Sequence, residues 1–280
     1  MKPMDIGVMM GVGENPLERL QRVKAMEVPT VQMGAPGEDF MTGQPLADLK
    51  AAIKQTGIEV TTVFCGFPGE HYADIPTVRR TVGLVPPATR ADRLERTQRI
   101  SDFARSLGVD SISMHIGFVP EDPANPGYAE VVKAAQQVCD YCAKQGQSFR
   151  LETGQETGEC LKRFIENVAR PNLGVNFDPA NMILYGSGEP IAALELVGKH
   201  VQGVHCKDGK WPTEKDQLGH EVPLGQGEVG IERFVQTLWK VGYRGALTIE
   251  REISGEQQLQ DIMAAKKLLE GIRAKVMGAG

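Results

Sequence analysis

Long apolar runs are missing from this chain. The N-terminal stretch MKPMDIGVMMGV holds only a brief one before Glu14 and Asn15, too short for a secretion signal or a spanning helix. Basic runs are missing too: 31 lysines and arginines are scattered against 36 acidic residues, for a net charge of −5. That balance lacks the electrostatic footprint of a nucleic-acid or membrane-surface binder, so neither partner is expected. Cysteine is sparse and odd in number, five in all, which argues against a disulfide framework and for reduced thiols. Cys139 and Cys142 form a C-x-x-C without a second pair, inside the helical stretch EVVKAAQQVCDYCAKQG, and are read as buried helix positions. A dinucleotide fingerprint is also lacking, because Gly7, Gly11 and Gly13 have the wrong spacing after the first strand. The expected address is the cytoplasm.

What is present is a regular alternation of strand and helix periods. Strands are expected near Asp5–Val12 and in TVQMGA, IEVTTVFCGF, DSISMHIG, QSFRLETG, LGVNFDPA, VQGVHCKD and GALTIERE. Helices are expected at Pro16–Glu27, Pro45–Thr56, TRADRLERTQRISDFARSLG, Tyr128–Gln145, Gly158–Ala169, Pro190–Val197, Ile231–Val241 and EQQLQDIMAAKKLLEGIRAK. In the third of these Thr89 is the expected cap and Gly108 the stop. A long loop from Pro68 to about Ala88 separates the third strand from its helix. Eight strands each followed by a helix, with no composition break, predict an α/β chain folded as one closed (β/α)8 barrel over residues 1–280. With 41% hydrophobic and 24% charged residues, the chain has enough apolar surface for such a core.

Five of these runs end in a lone polar residue able to bind metal or move a proton: His115, Glu152, Asp178, His205 and Glu250. The C-terminal ends of barrel strands surround one mouth, where such folds place their chemistry. Alternation of side chains puts Thr248, Glu250 and Glu252 on one face, as it does Gly203, His205 and Lys207, Asn176 and Asp178, and Arg150 and Glu152. Three carboxylates beside one imidazole would repel one another without a cation. One divalent ion is therefore expected on Glu152, Asp178, His205 and Glu250. This donor set suits Mn, Mg, Co or Zn, and disfavours a structural zinc site built on thiolates.

The pieces LETG with Glu152, VNFDPAN with Asp178, VHCKDG with His205 and GYRGALTIERE with Glu250 resemble the xylose isomerase-like TIM-barrel superfamily of sugar isomerases and epimerases. The resemblance spans most of the chain. It implies a metal held by those four residues and a sugar substrate, with Glu152 and Glu250 as the catalytic acid/base pair. The implied reaction is proton abstraction next to the carbonyl of a ketose or keto-sugar derivative, through an enediolate. Two departures stand out. Asn181 occupies a place where the ketose epimerases usually carry histidine, and Lys207 and Lys210 stand where those enzymes have an arginine. An amide can bind a hydroxyl but cannot carry a proton near neutral pH.

His115, Asn181, Lys207 and His71 are the expected substrate contacts; His71 and Arg93 belong to the long third loop and its helix, for which a solvated loop is preferred to a lid over the substrate. PLGQGEVG could cradle a phosphate, but a turn before the next helix is the preferred reading. Glu252 is read either as support for the metal site or as a salt-bridged rim residue. The alternatives to an epimerase are a dehydratase or lyase of a keto-inositol or 3-keto-sugar, and a non-catalytic sugar-binding barrel. An abasic-site endonuclease on this fold would want more histidines and a basic groove. Apolar positions of the last helix leave room for a homo-oligomer.

Overall fold

A computed structural model describes residues 2–278. Eight parallel strands close into a barrel: β1 (Ile6–Gly11), β2 (Thr30–Gly34), β3 (Glu59–Phe64), β4 (Ser111–Met114), β5 (Ser148–Glu152), β6 (Leu173–Phe177), β7 (Val201–Cys206) and β10 (Leu247–Ile249). Neighbours follow chain order around the ring, and β1 closes it by pairing Ile6 with Leu247 and Val8 with Ile249. Between β7 and β10 lies a hairpin of β8 (Asp208–Lys210) and β9 (His220–Val222), paired antiparallel. This is the expected (β/α)8 barrel; the hairpin was not expected, because its strands are three residues long and carry no apolar alternation.

The helices that cover the barrel are α1 (Pro16–Ala25), α2 (Gly43–Thr56), α4 (Arg90–Ser106), α5 (Pro126–Lys144), α6 (Gly158–Val168), α8 (Pro190–Val197), α9 (Ile231–Lys240) and α10 (Glu256–Gly278). Apolar strand residues face these helices. In β6, for example, Leu173, Val175 and Phe177 are buried outward, and the Phe177 ring stacks 6.1 Å from Phe234 of α9. The inward positions are polar instead: Gln32, Thr62, Arg150, Asn176 and His205 are joined by hydrogen bonds across the barrel axis. Gly203 is required at that level, since a Cβ there would overlap Asn176 Oδ1.

Caps set the helix starts. Asn125 accepts from Gly127 N–H at 2.9 Å to open α5, and Thr157 accepts from Cys160 N–H at 3.1 Å to open α6. Thr89 stands at the N-cap of α4 but makes no capping bond, and its buried hydroxyl has no partner. Gly108, with φ of +79°, lies just past the end of α4 as expected. Cys139 and Cys142 are buried free thiols on α5, with burial raising them to about 12 and about 11.

Two further helices escaped the sequence reading. The long loop after β3 contains α3 (Ile75–Thr81), capped by Asp74, which accepts from Thr77 N–H at 2.7 Å. Directly after β6 comes α7 (Pro179–Tyr185), started by the Asp178 side chain and by proline at its first turn. Among the described residues no helix is long and apolar enough to cross a membrane.

Candidate metal centre and active site

Glu152 ends β5, Asp178 follows β6, His205 lies in β7 and Glu250 follows β10, so all four meet at the C-terminal mouth. One ligand atom from each lies within 4.8 Å of the others. His205 Nδ1 is the hub, at 2.8 Å from Glu152 Oε1, 3.2 Å from Glu250 Oε2 and 3.6 Å from Asp178 Oδ2.

The orientation of the imidazole is held from below. His205 Nε2 lies 2.7 Å from Gln32 Oε1, and Gln32 donates its amide N–H to Asn176 Oδ1 at 3.0 Å. With that amide nitrogen engaged, the oxygen of Gln32 can only accept, which places a ring proton on Nε2 and turns Nδ1 toward the carboxylates. Phe64 stacks on the ring at 4.9 Å. Burial alone lowers His205, but the charges of Glu250 and Glu152 prevail and raise it well above its ordinary value.

Asp178 divides its two oxygens between structure and site. Oδ1 accepts from Asn181 N–H at 3.0 Å and caps α7, while Oδ2 is buried without a hydrogen-bond partner. His205 Nδ1 likewise has no hydrogen-bond partner. Two buried, unpartnered donors converging with two more carboxylates are what a divalent cation needs, and the residues present fit one.

The remaining predicted residues take clear positions. His115 Nε2 is 3.1 Å from Glu152 Oε2, and its Nδ1 is 3.2 Å from the Gln155 side-chain amide. Asn181 donates to Glu152 Oε1 at 3.4 Å and accepts from Lys207 Nζ at 3.2 Å. The side chain of Lys207 is 1% exposed, and its ammonium also lies 3.1 Å from Glu250 and 3.0 Å from Glu252. Burial opposes that charge, yet Glu250 and Glu252 raise it well above the ordinary lysine value. In return, His205 and Lys207 overcome the effect of burial on Glu250 and hold it well below the usual carboxylate range. Lys207 is therefore engaged by protein carboxylates rather than free to take a substrate group, and Lys210 is exposed at the end of β8.

His71 is exposed on its loop, and its neighbour Tyr72, itself 44% exposed, borders the cavity with its ring 6.1 Å from His115. Arg93, on α4, is buried rather than solvated and donates to Gly83 O at 2.6 Å, pinning the loop after α3. Glu252 is a rim residue, 60% exposed at its side chain, that pairs with Lys207. In PLGQGEVG the backbone N–H groups of Gly225, Gly227 and Val229 all donate to the Asp208 carboxylate, at 2.9, 3.0 and 3.2 Å. The segment is thus a turn closed by Asp208.

The cavity over the cluster has a volume of about 500 Å³, in the range of small-molecule sites. Tyr72, Phe64, Tyr185 and Leu218 line it along with Glu152, Glu250, Glu221 and Glu252. The sequence reading missed Gln32, Tyr72 and Glu221. For Gln32 a signal existed, as a lone amide in the apolar run TVQMG; Tyr72 and Glu221 sit in loops without periodicity.

The sequence profile of the xylose isomerase-like TIM barrel family matches residues 20–274. The chain is 46% identical to a xylose isomerase domain protein from Planctomyces limnophilus whose crystal structure superposes with a TM-score of 0.94, covering 99% of both chains. It is 26% identical over 253 residues to the L-ribulose-5-phosphate 3-epimerase UlaE of Escherichia coli, covering 85% of this chain and 82% of that enzyme. An uncharacterized protein of Methanocaldococcus jannaschii is 24% identical over 181 residues, and the matched part spans 57% of its length.

Proposed function

The chain belongs to the xylose isomerase-like TIM barrel family, and from that premise we propose that it is a divalent-metal-dependent epimerase or isomerase of a ketose or keto-sugar derivative. One observation carries this reading: two carboxylates, Glu152 and Glu250, reach the same cavity from β5 and β10, strands separated in the ring by β6 and β7. Such a pair can address one carbon from two directions, as removal and return of a proton require.

Glu152, Asp178, His205 and Glu250 would hold the metal, whose Lewis acidity makes a C–H beside a carbonyl easier to ionise. The Lys207 ammonium, 3.1 Å from Glu250, favours the ionised form of that carboxylate, which suits Glu250 to the role of base. The Nε2–H of His115 and the amide of Asn181 each point at an oxygen of Glu152, fixing the plane of that carboxylate. One glutamate accepts the proton and the other delivers one to the opposite face, giving the epimer; delivery to the neighbouring carbon gives the aldose or ketose isomer.

The reading is tested by incubating metal-loaded protein with a panel of ketoses in D2O and following C–H to C–D exchange by NMR. Exchange is expected for at least one sugar, and Glu152→Gln and Glu250→Gln each lower its rate by at least about 100-fold. Mass spectrometry of the product separates this from dehydration, which loses water. Absence of exchange from every ketose overturns the proposal.

A further inference from the structure

We infer that the site takes an uncharged sugar and discriminates against sugar phosphates and sugar acids. The inference rests on the function proposed above and names the substrate class of that same cavity. It departs from the phosphorylated substrate in the name of the 26% identical E. coli relative.

Three observations carry it. The first is the loop between β9 and α9, near the place where barrels of this architecture often bind phosphate, after their seventh and eighth barrel strands. There the N–H groups of Gly225, Gly227 and Val229, with Gly209 N–H at 3.0 Å, converge on one anion, and that anion is the carboxylate of Asp208. Asp208 is 1% exposed, and the fit is close enough that a Cβ on Gly227 would overlap its Oδ1. The nest that could have cradled a phosphate is filled from within the chain.

The second is the state of the cations at the mouth. A buried phosphate is held by charge-assisted hydrogen bonds from arginine or lysine. Among the described residues lining the cavity there is neither. Lys207, just beneath, is shared by Glu250, Glu252 and Asn181. Arg251 is held between Glu221 at 3.1 Å and Asp261 at 2.7 Å.

The third is the sign of the walls. Glu152, Asp178, Glu250 and Glu252 stand against the single ammonium of Lys207, so one divalent cation still leaves the cluster short of positive charge. Glu221 also lines the cavity, its charge balanced by Arg251. A phosphate or carboxylate entering here loses its hydration and meets repulsion in a medium of low dielectric constant. Hydroxyl groups, by contrast, find carboxylate acceptors on the rim, and the apolar face of a sugar finds Tyr72, Phe64 and Tyr185.

The test uses the 280-residue protein loaded with Mn2+ and matched pairs: D-tagatose with its 6-phosphate, D-fructose with its 6-phosphate, and L-ribulose with its 5-phosphate. Deuterium exchange gives kcat/KM for each. The expected result is exchange from a free ketose at least about tenfold more efficient than from its phosphate. Glu221→Gln, which releases Arg251 from its partner at the rim, should narrow that ratio several-fold. A phosphate ester that exchanges as well as or better than its free partner overturns this inference and leaves the epimerase reading standing. No exchange from either member of any pair overturns both.

Discussion

Gln32 Oε1 lies 2.7 Å from His205 Nε2, a contact between residues 173 positions apart in the chain. It decides which nitrogen of the imidazole meets the carboxylates, and through Asn176 it ties the four-residue cluster to the polar interior of the barrel.

Replacing Gln32 by leucine removes the acceptor that fixes the ring proton on Nε2. The four ligands remain, so metal affinity should fall by about 10- to 100-fold rather than vanish, as for other residues that orient a ligand. Isothermal titration with Mn2+ measures this directly, and unchanged affinity would show that the Gln32 contact does not matter to the site.

Asp178 has separable duties, and its two variants should part accordingly. Asparagine keeps an Oδ1 acceptor for Asn181 N–H, so Asp178→Asn should retain the fold while metal affinity falls more than about tenfold. Asp178→Ala also loses the cap of α7 and should cost about 1 kcal/mol more in urea unfolding of the metal-free protein.

Asp208→Asn tests the filled nest. Both carboxylate oxygens accept from backbone N–H groups, and an amide supplies only one acceptor while turning an NH2 toward the remaining donors. A loss of about 3 kcal/mol in unfolding free energy is expected, against little change if the loop were simply solvated.

Glu156, which is not one of the four candidate ligands, gives the protein a pH signature. It is 3% exposed, both of its oxygens lack partners, and burial raises it from 4.5 to about 8. Below pH 4.5 the group is protonated whether the chain is folded or not. Between 4.5 and 8 only the unfolded chain releases the proton, so stability should fall as pH rises through this window, by on the order of a few kcal/mol. Glu156→Gln should flatten that slope, which urea midpoints at pH 5 and pH 8.5 would reveal.

The barrel was legible because each strand ends an apolar run and each helix carries a face at helical spacing. The clustering of Glu152, Asp178, His205 and Glu250 was legible for the same reason, because each interrupts or closes such a run at an equivalent place. What stayed hidden lies in short or aperiodic segments. The sequence reading ran Asp178 and Pro179 into the preceding strand, although aspartate followed by proline is also how a helix begins, and the seven-residue α7 passed unnoticed. His71 and Tyr72 are adjacent in a loop, and no periodicity indicates which of the two borders the cavity.

The sequence by itself determined the alternation of strands and helices and the chemistry at the strand ends, because these follow from local pattern and from the cost of burying unpaired carboxylates. Tertiary structure decided which charges are free. Lys207 looks like a substrate contact in the sequence, and becomes the shared partner of Glu250 and Glu252 only when β7 and β10 lie side by side. PLGQGEVG looks like an open loop until Asp208 folds into it. Pairing depends on distance in space, and distances between residues far apart in the chain are set only when the barrel closes.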